Sequence, residues 1–278
     1  MFKRFLIVAV GMCISLAASA DSFKIETAAG YKTTASEYKA SEPARGITVV
    51  LLHGKTGKPG LSFYSGFYKY LRKAGYNVVA PRMPYSRFDA DYAQTIAVID
   101  AAVDEAVKRG DRVVIAGHSM GATFSLHYGG NHPRKEIIGI MPIAMGHQPE
   151  FSQKFREITI RSVLKARQMV EAGEGSKKKS FDDLNMGRQS SIRMTAHTYL
   201  SYYDPRVFPE LKPILKKIHV PVFWLSGASD RLRYVYEAED NFKIIPPNPK
   251  SKYLEAAGGH KSVVSKQTEP IIDWLNSL

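Results

Sequence analysis

Continuous apolar runs alternate with helical patterns through much of the chain. The apolar runs lie at 47–52, 76–81, 112–116, 137–145, 220–225 and 252–256. Runs of this length, stopped by glycine or polar residues, are typical of strands buried on both faces of a parallel sheet. Apolar residues at helical spacing predict helices over 62–73, 91–109, 120–132 and 269–278.

Strands that alternate with helices imply crossover connections, so the sequence predicts an α/β fold with a mostly parallel sheet flanked by helices. A shorter alternation at 23–40 predicts an entry hairpin. The alternation of strand and helix patterns stops at 147–217, where helical periodicity continues without a strand-like run. We therefore divide the mature chain into a core, residues 21–146 and 218–278, and a helical insertion, residues 147–217, called the insertion below.

The first twenty residues have the order of a secretory signal peptide. Lys3 and Arg4 precede an apolar run, and small residues end the segment at Ala20. The run is shorter than the ~20 residues that span a bilayer, which disfavours a membrane anchor. The pattern predicts cleavage after Ala20, a mature chain without a transmembrane helix, and a periplasmic or secreted protein.

The composition agrees with a globular exported protein. The chain has 278 residues, 44% of them hydrophobic, which is too apolar for a disordered chain. Its single cysteine, Cys13, lies in the predicted leader, so we expect neither a disulfide nor a cysteine zinc site in the mature chain. The net charge is +13, but basic residues are interleaved with acidic ones and form no recognised nucleic-acid motif. We therefore expect no nucleic-acid partner.

The strongest chemical signal is a serine between a predicted strand and a predicted helix. Residues 113–122 read V-V-I-A-G-H-S-M-G-A, an apolar run followed by G-x-S-x-G around Ser119. A sharp turn in this setting holds the serine oxygen clear of the backbone, and the two glycines leave room for neighbouring chain. The helix that follows directs its positive end at the same place. This context indicates a nucleophilic serine.

With this motif the sequence resembles the α/β-hydrolase family, in particular its exported serine esterases and dienelactone-hydrolase-like enzymes. The resemblance implies the α/β-hydrolase fold and a triad in the chain order serine, acid, histidine. Asp230 ends the run V-F-W-L-S-G-A-S-D, and His260 is the only histidine after it, so these are the expected partners of Ser119. Glu150, just beyond the preceding strand, is the alternative acid, because some hydrolases of this fold place the carboxylate there.

The resemblance also implies an oxyanion hole made of two backbone N–H groups. One belongs to the residue after the nucleophile, here Met120. The other comes from the loop after the strand at 47–52, which reads H-G-K-T-G-K-P-G. Its similarity to H-G-x loops assigns the second donor to Lys55, with Thr56 as the alternative. The loop departs from the H-G-G-G pattern of many lipases.

The insertion carries 14 basic and 8 acidic residues, and so more than half of the net charge of +11 that remains without the leader. An insertion at this place in the family resembles a cap that shapes access to the active site. A basic cap would attract anionic substrates or an anionic envelope surface. A solvated helical face with a flexible lysine loop accounts for the same charges.

Three functions remain open at this point. The favoured one is an exported serine hydrolase that cleaves carboxylic esters of a small or lipid-like acyl substrate through an acyl-enzyme on Ser119, without a metal or cofactor. The second is an amidase or peptidase on the same triad, which would need acidic groups to hold a substrate amine. The third is a non-catalytic envelope binding protein that keeps the fold.

Overall fold

The computed structural model describes residues 20–278. The predicted leader therefore lies outside the described residues, apart from Ala20, and its cleavage stays a prediction. Within the part of the chain that is described, no helix is both long enough and apolar enough to cross a membrane.

In residues 20–278, eight strands form a central sheet and two more form a separate hairpin. In chain order the strands are β1 (Asp21–Glu26), β2 (Lys32–Tyr38), β3 (Ile47–Leu52), β4 (Asn77–Pro81), β5 (Arg112–His118), β6 (Ile137–Ile143), β7 (Lys178–Asn185), β8 (Arg188–Thr195), β9 (Phe223–Gly227) and β10 (Lys252–Ala256). The helices are α1 (Ser62–Lys73), α2 (Tyr92–Val107), α3 (Met120–Asn131), α4 (Gln153–Glu171), α5 (Ala196–Tyr203), α6 (Leu211–Leu215), α7 (Leu232–Val235), α8 (Ala238–Ile244), α9 (Ser262–Lys266) and α10 (Thr268–Asn276).

The order of strands across the sheet is β1-β2-β4-β3-β5-β6-β9-β10. The entry hairpin β1–β2 is antiparallel and joins β4 antiparallel, whereas the pairs from β4 to β10 are parallel. This confirms the predicted α/β class with a mostly parallel sheet. Because parallel strands end at the same edge, the loops after β3, β5, β6, β9 and β10 lie along one edge of the sheet, where ligands bind in open α/β sheets.

The central strands are mostly apolar and buried because helices cover both faces of the sheet. All six residues of β3 are buried. On one face, α1, α9 and α10 pack against the sheet through side chains that include Tyr64, Leu71, Val264 and Trp274. On the other face, α2, α3 and the insertion helices α4 and α5 share a second apolar core.

The bounds of the predicted core elements follow local chain chemistry. The helix predicted at 91–109 is α2, which begins after Asp91 because that carboxylate accepts the N–H of Gln94 at 2.9 Å. The helix predicted at 62–73 and the strand predicted at 252–256 have the expected bounds.

The insertion is not entirely helical, and in this respect the prediction of a helical insertion at 147–217 is wrong. Its helices α4, α5 and α6 are accompanied by an antiparallel hairpin, β7–β8, between α4 and α5. The turn Met186-Gly187 has φ values of 51° and 76°, as a two-residue hairpin turn with the natural strand twist requires. The alternation in β7 is hard to recognise because its buried face carries Phe181 and an acid, Asp183. In the sequence, that acid reads as a surface residue.

Candidate active site

Ser119 forms the sharp turn between β5 and α3, with φ 57° and ψ −121°. Its N–H donates to the carbonyl of Ile143 on the neighbouring strand at 3.0 Å, and its own carbonyl accepts the N–H groups of Ala122 and Gly146. These bonds hold a backbone conformation that is unfavourable for a residue with a side chain. The hydroxyl makes no capping bond to α3, so it is left for other partners.

The two glycines of the motif let α3 start directly against the sheet. A Cβ atom on Gly121 would lie 2.2 Å from the carbonyl oxygen of Leu52 at the end of β3. A Cβ atom on Gly117 would lie 2.0 Å from the carbonyl oxygen of Gly121. Any side chain at either position would push the helix away from the sheet and move Ser119.

The loops after β9 and β10 bring Asp230 and His260 to Ser119. His260 Nε2 lies 2.9 Å from Ser119 Oγ, and His260 Nδ1 lies 2.7 Å from Asp230 Oδ2. The second oxygen of Asp230 accepts the N–H of Leu232 at 3.0 Å, which fixes the carboxylate. Asp230 and His260 are both buried. The structure therefore brings the three predicted residues into one hydrogen-bonded line.

The hydrogen bonds of His260 assign its tautomer. A carboxylate accepts hydrogen bonds and does not donate them, so the proton lies on Nδ1 and faces Asp230. Nε2 then presents a lone pair to the hydroxyl of Ser119. In this arrangement His260 is able to take the serine proton as a general base.

Glu150, the alternative acid, has different partners. Its Oε1 accepts the N–H of Leu211 at 2.9 Å. Burial raises the pKa of this carboxyl above its ordinary value. The carboxylate in contact with His260 is that of Asp230.

The first candidate oxyanion donor is the N–H of Met120. Met120 follows Ser119 directly and is the first residue of α3. The first N–H groups of a helix have no acceptor inside it and carry the positive end of its dipole. This N–H is therefore available to an oxygen that develops negative charge beside Ser119.

The second candidate donor lies on the loop after β3. A Cβ atom on Gly54 would lie 3.1 Å from Cβ of Ser119, so the loop passes close to the serine. The N–H of Thr56, the alternative donor, donates to the carbonyl of Tyr85 at 3.2 Å. The N–H of Lys55 has no acceptor among the described residues 20–278. Of the two amides, that of Lys55 is the available one.

A buried chain of hydrogen bonds joins this loop to His260. The N–H of Gly54 donates to the hydroxyl of Tyr64 at 3.1 Å, and that hydroxyl lies 2.9 Å from His118 Nδ1. His118 Nε2 lies 2.8 Å from the carbonyl oxygen of His260 and therefore carries the donated proton. Each donor in this series has one acceptor, and every hydrogen bond is donated in the direction from Gly54 to His260. The sequence analysis did not predict this link between His118 and His260.

The series of hydrogen bonds from Gly54 through Tyr64 and His118 to His260 requires that His118 is neutral. Burial, with a smaller contribution from the nearby His260, lowers the pKa of His118 to about 3. Near neutral pH its Nδ1 is therefore free to accept from Tyr64. A charged His118 would lose this acceptor and would repel a charged His260.

Two observations concern metal binding. In the described part of the chain no three His, Cys, Asp or Glu side chains are grouped as a metal site. The ring nitrogens of His118 and His260 are occupied by Tyr64, Ser119, Asp230 and a backbone carbonyl.

Asp183 is a further residue at this site that sequence analysis missed. Its Oδ1 lies 2.5 Å from Nζ of Lys55, across 128 positions of sequence. The insertion thus contacts the loop that carries the second candidate oxyanion donor. The signal in the sequence is an acid two positions after a phenylalanine in a segment that follows three lysines, which does not distinguish a buried acid from an exposed one.

Comparison with known proteins agrees with this architecture. A sequence comparison with the curated proteins found no match. Among solved structures, the chain is similar to the esterase domain of a Rhodothermus marinus protein (14% identity, 93% of this chain and 98% of that chain covered, TM-score 0.65) and to Est1E from Butyrivibrio proteoclasticus (16%, 93% and 98%, TM-score 0.66). It is also similar to a monoacylglycerol lipase from Paleococcus ferrophilus (19%, 89% and 99%, TM-score 0.66). At these identities the likeness shows the fold.

The family follows from a different comparison. The model of the Alpha/beta hydrolase family matches residues 49–270, which is most of the chain and includes Ser119, Asp230 and His260. With the mostly parallel sheet and the turn at Ser119, this match shows that the chain belongs to the alpha/beta hydrolase family.

Proposed function

We propose that this protein is a serine hydrolase that cleaves carboxylic esters through an acyl-enzyme on Ser119. The observation that carries the proposal is the line of hydrogen bonds from Ser119 Oγ to His260 at 2.9 Å and from His260 to Asp230 at 2.7 Å. A serine hydroxyl is a weak nucleophile unless an adjacent base removes its proton. His260 is in position to be that base, and Asp230 to stabilise the imidazolium that forms.

In the first half of the reaction, Ser119 Oγ attacks the acyl carbon while its proton moves to His260 Nε2. The carbonyl oxygen becomes an oxyanion, which the N–H groups of Met120 and Lys55 stabilise. When the tetrahedral intermediate collapses, the bond to the leaving oxygen breaks and His260 returns the proton to it. The alcohol leaves and the acyl group remains on Ser119.

In the second half, water replaces the serine as the nucleophile. His260 takes a proton from the water as it attacks the acyl carbon, and the same two N–H groups stabilise the second oxyanion. Collapse releases the carboxylic acid and returns the proton to Ser119 Oγ. Both halves use the same two amides, so their placement affects every turnover.

Two observations favour an ester substrate over an amide. They are the names of the similar structures and the positive charge on the exposed face of the hairpin β7–β8. Two of the similar structures are described as esterases and one as a monoacylglycerol lipase. An aminopeptidase would hold the substrate amine with acidic groups, whereas the exposed face of the hairpin β7–β8 is basic. Its exposed cations are Lys178, Lys179, Arg188 and Arg193.

We also propose that the protein acts outside the cytoplasm and that these cations draw anionic substrates or an anionic envelope surface toward the insertion. The signal-peptide pattern of the first twenty residues supports export. Attraction between exposed charges is screened by salt. The KM for an ester with a carboxylate on its alcohol part should therefore rise with salt, while the KM for a neutral ester should stay constant.

The experiment that tests the hydrolase proposal uses a fluorophosphonate probe and a panel of aryl esters of increasing acyl length, with matched aryl amides. The wild-type protein should be labelled and should hydrolyse the esters faster than the amides. Ser119→Ala should abolish labelling and lower turnover by about 10⁶-fold. Ser125→Ala is the matched control, because this buried serine of α3 donates to the carbonyl of Ala122 and does not face His260.

Each other outcome has a defined meaning. Faster cleavage of amides than of esters would favour the amidase or peptidase alternative. A wild-type protein that neither reacts with the probe nor hydrolyses any panel member would contradict the hydrolase proposal and favour the binding-protein alternative.

A further inference from the structure

The side chain of Lys55 leaves the core and ends inside the insertion. Its Nζ lies 2.5 Å from Oδ1 of Asp183 and 3.0 Å from the carbonyl oxygen of Leu184, both on β7. It also lies 5.5 Å from the ring centre of Tyr203 and 5.7 Å from that of Phe155. The hairpin, α5 and α4 therefore all contact one ammonium group.

The ion pair between Lys55 and Asp183 is buried. The side chains are 6% and 4% exposed. Burial lowers the pKa of Lys55. For Asp183, burial acts to raise the pKa, but the charge of Lys55 and the hydrogen bonds from Lys55 and Tyr203 outweigh it, so the pKa lies below its ordinary value. A buried ion pair of this kind is often no more stabilising than two apolar side chains, so stability alone does not explain it.

The ion pair completes the support of the second candidate oxyanion donor. On one side of Lys55, the N–H of Gly54 is held by Tyr64; on the other, the N–H of Thr56 is held by the carbonyl of Tyr85. The N–H of Lys55 lies between these fixed points, without an acceptor among the described residues. The plane of the Gly54–Lys55 peptide is held through the carbonyl of Gly54, which accepts the N–H of Gly57 at 3.0 Å and lies 2.8 Å from His53 Nδ1. The side chain of Lys55 adds the anchor that ties this peptide to the insertion.

We propose that the Lys55–Asp183 ion pair positions the N–H of Lys55 for the oxyanion, so that the insertion holds part of the catalytic machinery in place. Lys55 and Asp183 act in this as positioning side chains, and the substrate contact is the backbone N–H. This inference rests on the hydrolase function proposed above. It explains why a charged pair is retained at a buried place where apolar residues would serve packing.

The test replaces both charges together. In Lys55→Met/Asp183→Asn, the methionine keeps the volume of the lysine stem and the asparagine keeps an acceptor for Tyr203. Removing one partner alone would leave an unpaired buried charge and would report on folding instead. The matched control is Arg167→Met/Asp204→Asn, which removes a half-buried ion pair inside the insertion, away from the loop after β3.

Four quantities are measured: the melting temperature, the kcat and KM for p-nitrophenyl butyrate, and the Ki of an alkyl trifluoromethyl ketone. The serine adds to the ketone carbonyl, whose oxygen then becomes an oxyanion. For the Lys55/Asp183 double variant we expect a melting temperature near that of the control and a KM near the wild-type value. We expect kcat to fall by about 100-fold and the Ki of the ketone to rise by a similar factor, as when an oxyanion donor is displaced. The control should keep the kcat and Ki of the wild type.

Two results would overturn the inference: a folded double variant with wild-type kcat and Ki, or an equal loss of kcat in the control. If the double variant does not fold, Asp183→Glu decides, since it keeps the charge but shifts the carboxylate by one methylene. A folded Asp183→Glu protein with wild-type kcat and Ki would overturn the inference as well. A wild-type protein without ester turnover or probe labelling would instead contradict the proposed function, and this inference with it.

Discussion

The candidate site has two sides that are built on different physical principles. The serine side comprises Ser119, Asp230 and His260 with the groups that hold them, and much of its support is backbone contact and hydrogen bonds to neutral groups such as His118. The insertion side comprises Lys55 and Asp183, held by a buried pair of charges. The two sides meet near Ser119, since each carries one of the two candidate oxyanion donors, Met120 and Lys55.

The difference teaches how each side tolerates change. Close backbone packing is lost when a side chain is added at a glycine. A hydrogen bond accepted by a neutral histidine is lost when that histidine binds a proton. A buried ion pair withstands loss of both charges better than loss of one, because a single charge left behind has no partner. The serine side should therefore be sensitive to sterics and to acid, and the insertion side to charge imbalance.

Beyond the loss of Ser119 itself, the largest expected effect comes from Asp230→Asn on the serine side. The amide no longer favours the tautomer of His260 with its proton on Nδ1, so kcat should fall by about 10⁴-fold while the fold is kept. Turnover of p-nitrophenyl butyrate and a circular dichroism spectrum measure the two properties. Asp240→Asn, an exposed carboxylate on α8, is the control. A kcat near wild type would mean that another acid orients His260, and Glu150→Gln would then be the variant to measure.

Acid should destabilise the fold through its buried neutral histidines, while the ion pair persists. Burial lowers the pKa of His53 to about 4 and the pKa values of His118, His127 and His147 to about 3. In the unfolded chain each of these histidines has a pKa of about 6.5, so below that pH the unfolded state binds a proton that the folded state does not. The stability that these neutral histidines contribute is complete above about pH 6.5 and is lost as the pH falls toward their folded values, by up to about 1.4 kcal/mol per pH unit for each.

Urea unfolding at pH 8, 6.5 and 5 measures this loss. His127→Phe removes one of these histidines, so the slope of the unfolding free energy against pH should become smaller by the contribution of one proton, about 1.4 kcal/mol per pH unit at most. The carboxyl of Asp183 has a pKa below its ordinary range, so the ion pair persists at pH 5. A free energy of unfolding that stays constant from pH 8 to pH 5 would contradict the assignment of neutral buried histidines.

The smallest expected effect is that of Tyr64→Phe. Loss of this hydroxyl leaves the N–H of Gly54 and Nδ1 of His118 without their partners, which should lower the free energy of unfolding by about 2 kcal/mol. The displaced loop and histidine should lower kcat by about tenfold with little change in KM.

A second tyrosine of α1 provides the control for this variant. Tyr68 is also buried, and its hydroxyl donates only to the carbonyl of Pro59 at 2.9 Å. Tyr68→Phe should cost about 1 kcal/mol of stability and leave kcat unchanged. Equal kcat values for the two variants would mean that the chain from Gly54 to His260 contributes to stability alone.

Local patterns in the sequence were sufficient to predict the α/β class, the strands of the core and the position of Ser119. An apolar run, a glycine pair and a helical repeat each involve residues within about one turn or one strand of each other, and neighbouring residues determine them. The chain order implied by the resemblance to the α/β-hydrolase family then singled out His260 and favoured Asp230 over Glu150 as its partner. The hydrogen bonds among the three residues are a property of the folded chain.

The tertiary structure alone decided which groups surround the site. Asp183 reads as a surface acid in the sequence, and the hairpin that carries it was predicted as helix. Its burial depends on Lys55, 128 positions away, so no short stretch of sequence contains the reason for it. The same holds for the link from Gly54 through Tyr64 and His118. The sequence determined the core elements and the turn at Ser119 through short-range patterns. Folding decided the pairing of distant polar groups, which depends on how closely the packed elements approach.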